Sequence, residues 1–152
     1  MSRTVITYGT FDMFHIGHLR LLKRMHEMGE RLIVGLSTDE FNALKGKKAL
    51  VPYEERREIV EAIGFVDLVI PERSWEQKVE DIRQHNVDCF VMGNDWAGQF
   101  DDLKELCEVV YLERTRGVSS TELRQTLGRL VSDELEIAHV LQLLKSMHAN
   151  LE

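Results

Sequence analysis

Five short runs rich in β-branched and aliphatic residues, at 4–8, 31–36, 68–70, 89–92 and 109–112, alternate with stretches of helical periodicity. Strands separated by helices cannot close tight antiparallel hairpins, so the alternation predicts βαβ units and a parallel sheet. A first helix is predicted over 15–28, where Leu19, Leu22, Met25 and Met28 recur at helical spacing and Gly29 follows as a stop. A second covers 53–62, between Pro52 and Gly64, and a third 75–85, entered through Ser74 as N-cap. Ser119 and Glu122 form a capping box that opens a helix over 119–127. A last helix spans 132–151, with Ile137, Leu141, Leu144 and Met147 or His148 on one apolar stripe.

These elements describe an α/β fold: a Rossmann-like, doubly wound, five-stranded parallel sheet with a C-terminal helical extension. With 152 residues there is room for one core, placed over 1–130, and an extension over 131–152 that has its stripe to bury, on its own domain or at a subunit interface. The net charge of -7 excludes a general nucleic-acid binder, whose affinity rests on clustered Lys and Arg. It leaves open a local basic pocket for a small anion. No apolar stretch approaches a membrane span, and residues 1–8 enter a strand pattern directly, so a cytoplasmic location is expected. Cys89 and Cys107 lie in apolar runs without metal-type spacing and read as reduced thiols.

In an open parallel sheet, ligands sit beyond the carboxyl ends of the strands. The unusual residues fall there: Gly9-Thr10-Phe11-Asp12, Ser37-Thr38-Asp39, Gly93-Asn94-Asp95-Trp96 and Arg114-Thr115 each follow a strand. In the first, a glycine turn leads to His15-Ile16-Gly17-His18 at a helix start. Unpaired N–H groups and the positive dipole end make an anion site there, Gly17 permits close approach, and each imidazole adds a donor. A His-x-x-His alone is weak evidence, but held between strand and helix it points to phosphate chemistry. A second cradle is read from Arg114, Thr115, Gly117, Ser119, Ser120 and Thr121, although capping alone accounts for the hydroxyls equally well. The loop over 44–50 carries Lys45, Lys47 and Lys48.

Together these segments resemble the HxGH-motif cytidylyltransferases. Ser37-Thr38-Asp39-Glu40-Phe41-Asn42, Trp75-Glu76-Gln77-Lys78 and Val91-Met92-Gly93 extend the resemblance over about 4–127. It implies transfer of the cytidylyl group of CTP to a polyol phosphate, glycerol 3-phosphate first, with Mg²⁺ carried mainly by CTP, in a homodimer. It further implies that Gly9, Thr10, Phe11, His15, Gly17, His18, Lys47 and residues 114–121 bind CTP. His15, His18, Lys47 and Arg114 then carry the catalysis, and Lys45 and Lys78 contact the polyol phosphate. A phosphate monoester is already a nucleophile, so positioning and electrostatics suffice. Gly64 and Asn94 stand where relatives carry arginine and aspartate.

Other readings are a cytidylyltransferase for ribitol 5-phosphate, an adenylyltransferase on the same fold, or a nucleotide-sensing domain. An aminoacyl-tRNA synthetase is excluded by length and acidity. Lys78 sits in the first turn of its helix, where the dipole disfavours a cation, which hints at a use beyond structure. Trp75 and Trp96 read equally as pocket walls or packing. Arg56 reads as part of a charged helix face, with reach toward a subunit interface or the triphosphate.

Overall fold

In the computed structural model, which describes residues 2–113 and 120–149, five parallel strands form one sheet. They are β1 (Thr4–Gly9), β2 (Arg31–Ser37), β3 (Leu68–Glu72), β4 (Cys89–Gly93) and β5 (Glu108–Leu112), in the order β3-β2-β1-β4-β5. The helices are α1 (Ile16–His26), α2 (Asp39–Leu44), α3 (Tyr53–Glu61), α4 (Gln77–Gln84) and α5 (Ser120–Ala149). Every strand starts within one residue of its expected position.

The strand sequences alternate between two cores. Val5, Leu32, Val34, Leu36, Cys89 and Val91 pack with Leu22 and Met25 of α1 and Val60 of α3. Ile6, Tyr8, Ile33, Phe90 and Met92 pack with Ile82 of α4, Phe100 and Leu103. A sheet covered on both faces explains why β2 reads as one continuous apolar run, buried from Leu32 to Ser37. The chain winds outward from β1 to β3 and then returns to β4, so the topological switch lies between β1 and β4.

Two glycines make space rather than turns. A Cβ on Gly35 would lie 2.3 Å from the ring of Tyr8, its register partner, and one on Gly29 would lie 2.5 Å from the Arg3 carbonyl oxygen. Gly29 therefore lets α1 return beside β1, a different role from the helix stop expected of it.

The helices differ from expectation in several places, and α1 ends at His26 rather than at 28. The six-residue α2 is too short to show periodicity, yet its cap is explicit: the Thr38 hydroxyl accepts from the Phe41 N–H at 3.1 Å. The third helix starts at Gln77 with Glu76 at its N-cap and no side-chain cap, so Ser74 is not the cap expected; it closes a turn ahead of the helix, where its Oγ accepts from the Gln77 N–H and its N–H donates to the Gln77 Oε1. The two helices expected over 119–127 and 132–151 are one, since Gly128 costs only about 1 kcal/mol in a helix interior and nothing else between them breaks it. The chain forms two compact units, Met1–Gly117 and Val118–Glu152. In the second, Leu130, Ile137, Leu141, Leu144 and Met147 of α5 are all exposed. Among the described residues no helix is long and apolar enough to cross a membrane.

Candidate active site

The loop between β1 and α1 is held in a costly shape. Phe11 and Met13 take φ of 51° and 48°, a region that side chains with a Cβ avoid, on either side of buried Asp12. The Asp12 carboxylate accepts the N–H groups of Leu50 and Val51 at 2.9 and 3.0 Å, tying this loop to the far end of the lysine loop. Phe11 is buried, and the Thr10 hydroxyl donates to Asn42 Oδ1 at 3.0 Å.

His15 and His18 stack with centroids 3.9 Å apart. His15 is the N-cap of α1, and its Nδ1 accepts from the Gly17 N–H at 3.0 Å; His18 Nδ1 accepts from the His15 N–H at 3.3 Å. A neutral imidazole that accepts at Nδ1 carries its proton on Nε2, so the network gives both rings the same tautomer, with an Nε2–H donor. Burial lowers the pKa of His15, which keeps that ring neutral to lower pH than free histidine. Two Nε2–H donors at a helix N-terminus suit a phosphate that gains charge during reaction.

Across the strand ends, Leu44, Lys45, Lys47, Trp75, Trp96, Gln99 and Phe100 line a cavity of about 440 Å³. Trp75 contacts Phe41 and Trp96 at centroid distances of 5.3 and 5.7 Å, so the two tryptophans are both packing and wall. Lys45 Nζ lies 4.4 Å from the Phe41 centroid and 5.6 Å from that of Trp75, and Lys47 Nζ 6.0 Å from that of Trp96. Burial lowers the pKa of Lys45. Lys78 does not line this cavity. It is buried, 4.9 Å from the Trp75 centroid and 4.5 Å from that of Tyr8, and its ammonium donates to Glu72 at 2.5 Å. The charge that looked misplaced at a helix N-terminus is thus compensated by a buried carboxylate.

Arg56 corrects the sequence reading. It is 1% exposed, part of no solvated face, and donates at 2.7–2.8 Å to the carbonyls of Val51, Thr10 and Ser37 and to Asp39 Oδ1. Its signal, a lone arginine on the side of α3 that carries Val60, was readable only as amphipathic phase. Arg114, Thr115, Gly117 and Ser119 lie outside the described residues, and Ser120 and Thr121 are described only as the start of α5. Among the described residues no three His, Cys, Asp or Glu side chains are grouped to hold a metal ion.

A family model described as cytidylyltransferase-like matches residues 6–126. The chain belongs to this family. The cytidylyltransferase-like chain is 56% identical over 125 residues to the glycerol-3-phosphate cytidylyltransferase of Staphylococcus aureus, covering 82% of this chain and 95% of that protein. The same identity holds over 128 residues with the glycerol-3-phosphate cytidylyltransferase of Bacillus subtilis, covering 84% and 99%. The fold also resembles the crystal structure of a lipopolysaccharide core biosynthesis protein from Thermoplasma volcanium, with TM-score 0.67, 19% identity and coverage of 76% and 99%. The family match ends at residue 126, so most of α5 is an addition to the cytidylyltransferase-like core.

Proposed function

We infer that this chain transfers the cytidylyl group of CTP to glycerol 3-phosphate, giving CDP-glycerol and pyrophosphate. The observation that carries the substrate pair is the identity of 56% over nearly the full length of two glycerol-3-phosphate cytidylyltransferases. An oxygen of the acceptor phosphate attacks the α-phosphorus of CTP in line. A new P–O bond forms as the α–β bridge breaks, and pyrophosphate leaves with the bridging oxygen. No general base is needed, because the attacking phosphate oxygen is already anionic. The Nε2–H groups of His15 and His18, with the α1 N-terminus, stabilise the charge that builds on the nucleotide phosphates.

Gly9, Thr10, Phe11 and Gly17 shape that cradle, and Lys47 closes over the phosphates from the lysine loop. For residues 114–121 the reading is that of the sequence: an arginine and hydroxyls suited to phosphate oxygens. Lys45 and Lys78, whose ammonium groups both lie against the Trp75 ring, hold the acceptor phosphate. Mg²⁺ carried by CTP would supply neutralisation of the nucleotide's phosphate charge. We place the reaction in the cytoplasm, where CTP is available and the unpaired Cys89 and Cys107 stay reduced.

A pyrophosphate-release assay with CTP or ATP, each paired with glycerol 3-phosphate, ribitol 5-phosphate or pantetheine phosphate, tests the assignment. CTP with glycerol 3-phosphate is expected to have the highest kcat/KM. A better pair, or no release with any, would overturn it.

The enzyme is proposed to act as a homodimer in which the apolar stripe of α5 takes part. Ile137, Leu141 and Leu144 follow one another at i, i+4 and i+7 and are exposed, an arrangement that a second copy can match. Sedimentation is expected to give a dimer, and Leu141→Asp with Leu144→Asp to weaken it. A monomeric wild-type chain would contradict this.

A further inference from the structure

Glu72 closes β3 and is 3% exposed, yet nothing in the catalytic scheme uses it. Parallel pairing of β2 with β3 sets it opposite Ser37. Its Oε1 accepts a hydrogen bond from the Ser37 hydroxyl at 2.6 Å and its Oε2 one from Lys78 Nζ at 2.5 Å. The Ser37 Oγ, whose O–H donates to Glu72, accepts from Lys45 Nζ at 3.3 Å. One carboxylate therefore anchors two ammonium groups, one directly and one through a hydroxyl.

Lysine is a point charge on a flexible stem, so its position must be imposed from outside. Here the rings of Tyr8, Trp75 and Phe100 surround Lys78 at 4.5, 4.9 and 5.5 Å, and Glu72 fixes the direction of one of its three N–H groups. The remaining donors are left to other partners. Lys45 is fixed by Ser37 on one side and by the Phe41 ring on the other. Both oxygens of Glu72 receive donors from the protein, so the carboxylate acts by holding its partners.

We propose that Glu72 is the positioning residue of the acceptor-phosphate subsite, holding Lys78 directly and Lys45 through Ser37. The proposal rests on the reading of Lys45 and Lys78 as acceptor contacts. Removing the carboxylate leaves Lys78 buried without its counter-charge and Ser37 without the acceptor that orients it, so acceptor affinity falls while the nucleotide cradle at α1 is untouched.

Steady-state kinetics of Glu72→Gln, Glu72→Asp and Ser37→Ala test it. Glu72→Gln is expected to raise KM for glycerol 3-phosphate about tenfold or more, with KM for CTP changed less than about threefold. Ser37→Ala, which releases Lys45 alone, shifts the acceptor KM less in the same direction, and Glu72→Asp restores part of the loss. Parallel changes in both KM values, or no change in the acceptor KM, would mean a structural role only. If Glu72→Gln does not fold, Ser37→Ala decides by the same criterion. Should the wild-type chain fail to turn over glycerol 3-phosphate, the functional reading falls. Quenching of tryptophan fluorescence by inorganic phosphate then tests Glu72 independently. A half-saturation about tenfold higher in Glu72→Gln, or raised to a lesser degree in Ser37→Ala, supports the assignment; equal values in all variants, or no quenching in the wild type, overturn it.

Discussion

Replacing His18 with alanine is expected to lower kcat by about 10²–10³-fold while leaving the fold intact. The Nδ1 of His18 is engaged by the His15 N–H, which directs its Nε2–H outward from the backbone at the start of α1. Alanine removes that donor and also the ring stacked 3.9 Å from His15, so the remaining imidazole loses its orienting neighbour. The structural cost is small, because His18 is only partly buried and its backbone bond is long, at 3.3 Å. Circular dichroism and a thermal melt should therefore stay close to wild type while pyrophosphate release collapses. A kcat within tenfold of wild type would remove His18 from the catalytic scheme.

Arg56→Ala is expected to destabilise the Met1–Gly117 unit by about 3–5 kcal/mol. The guanidinium reaches three backbone carbonyls from three separate segments, at Thr10, Ser37 and Val51, besides Asp39. Alanine leaves those acceptors facing a void the size of the largest fully buried side chain in the described protein. At roughly 3 °C per kcal/mol for a chain of this size, the melting temperature should fall by about 10 °C or more. Lysine is expected to recover little, because one ammonium cannot reproduce a planar fork that spans several carbonyls. A melting temperature within about 2 °C of wild type would show that the segments hold without their shared donor.

Both predictions concern residues whose legibility in sequence differed sharply. His18 stood out because strand, glycine turn and histidine-bearing helix start are contiguous, and the His15 N–H that engages its Nδ1 lies three residues away. Ser74 was misread as the cap of the helix after β3: it bonds with Gln77 in a turn, and the helix begins at Gln77 behind Glu76. Arg56 was not readable. Surrounded by Glu54, Glu55, Arg57 and Glu58 it looks like a solvated face, and only its place beside Val60 on the inward side of α3 reverses that. Lys78 was legible as an anomaly, a cation at a helix start, but its carboxylate partner was not.

The alternation of elements, the parallel sheet and the histidine-bearing start of α1 could all be read from local spacing, because periodicity, caps and turns act over a few neighbouring residues. Which residues meet at the strand ends could not be read that way. Ser37 and Glu72 are 35 positions apart and touch because β2 pairs with β3 in one register, and Arg56 reaches Thr10 across 46 positions because α3 packs beneath the same sheet edge. Such meetings depend on strand order and register, which are set by burial on both faces of the sheet and leave no mark on local spacing.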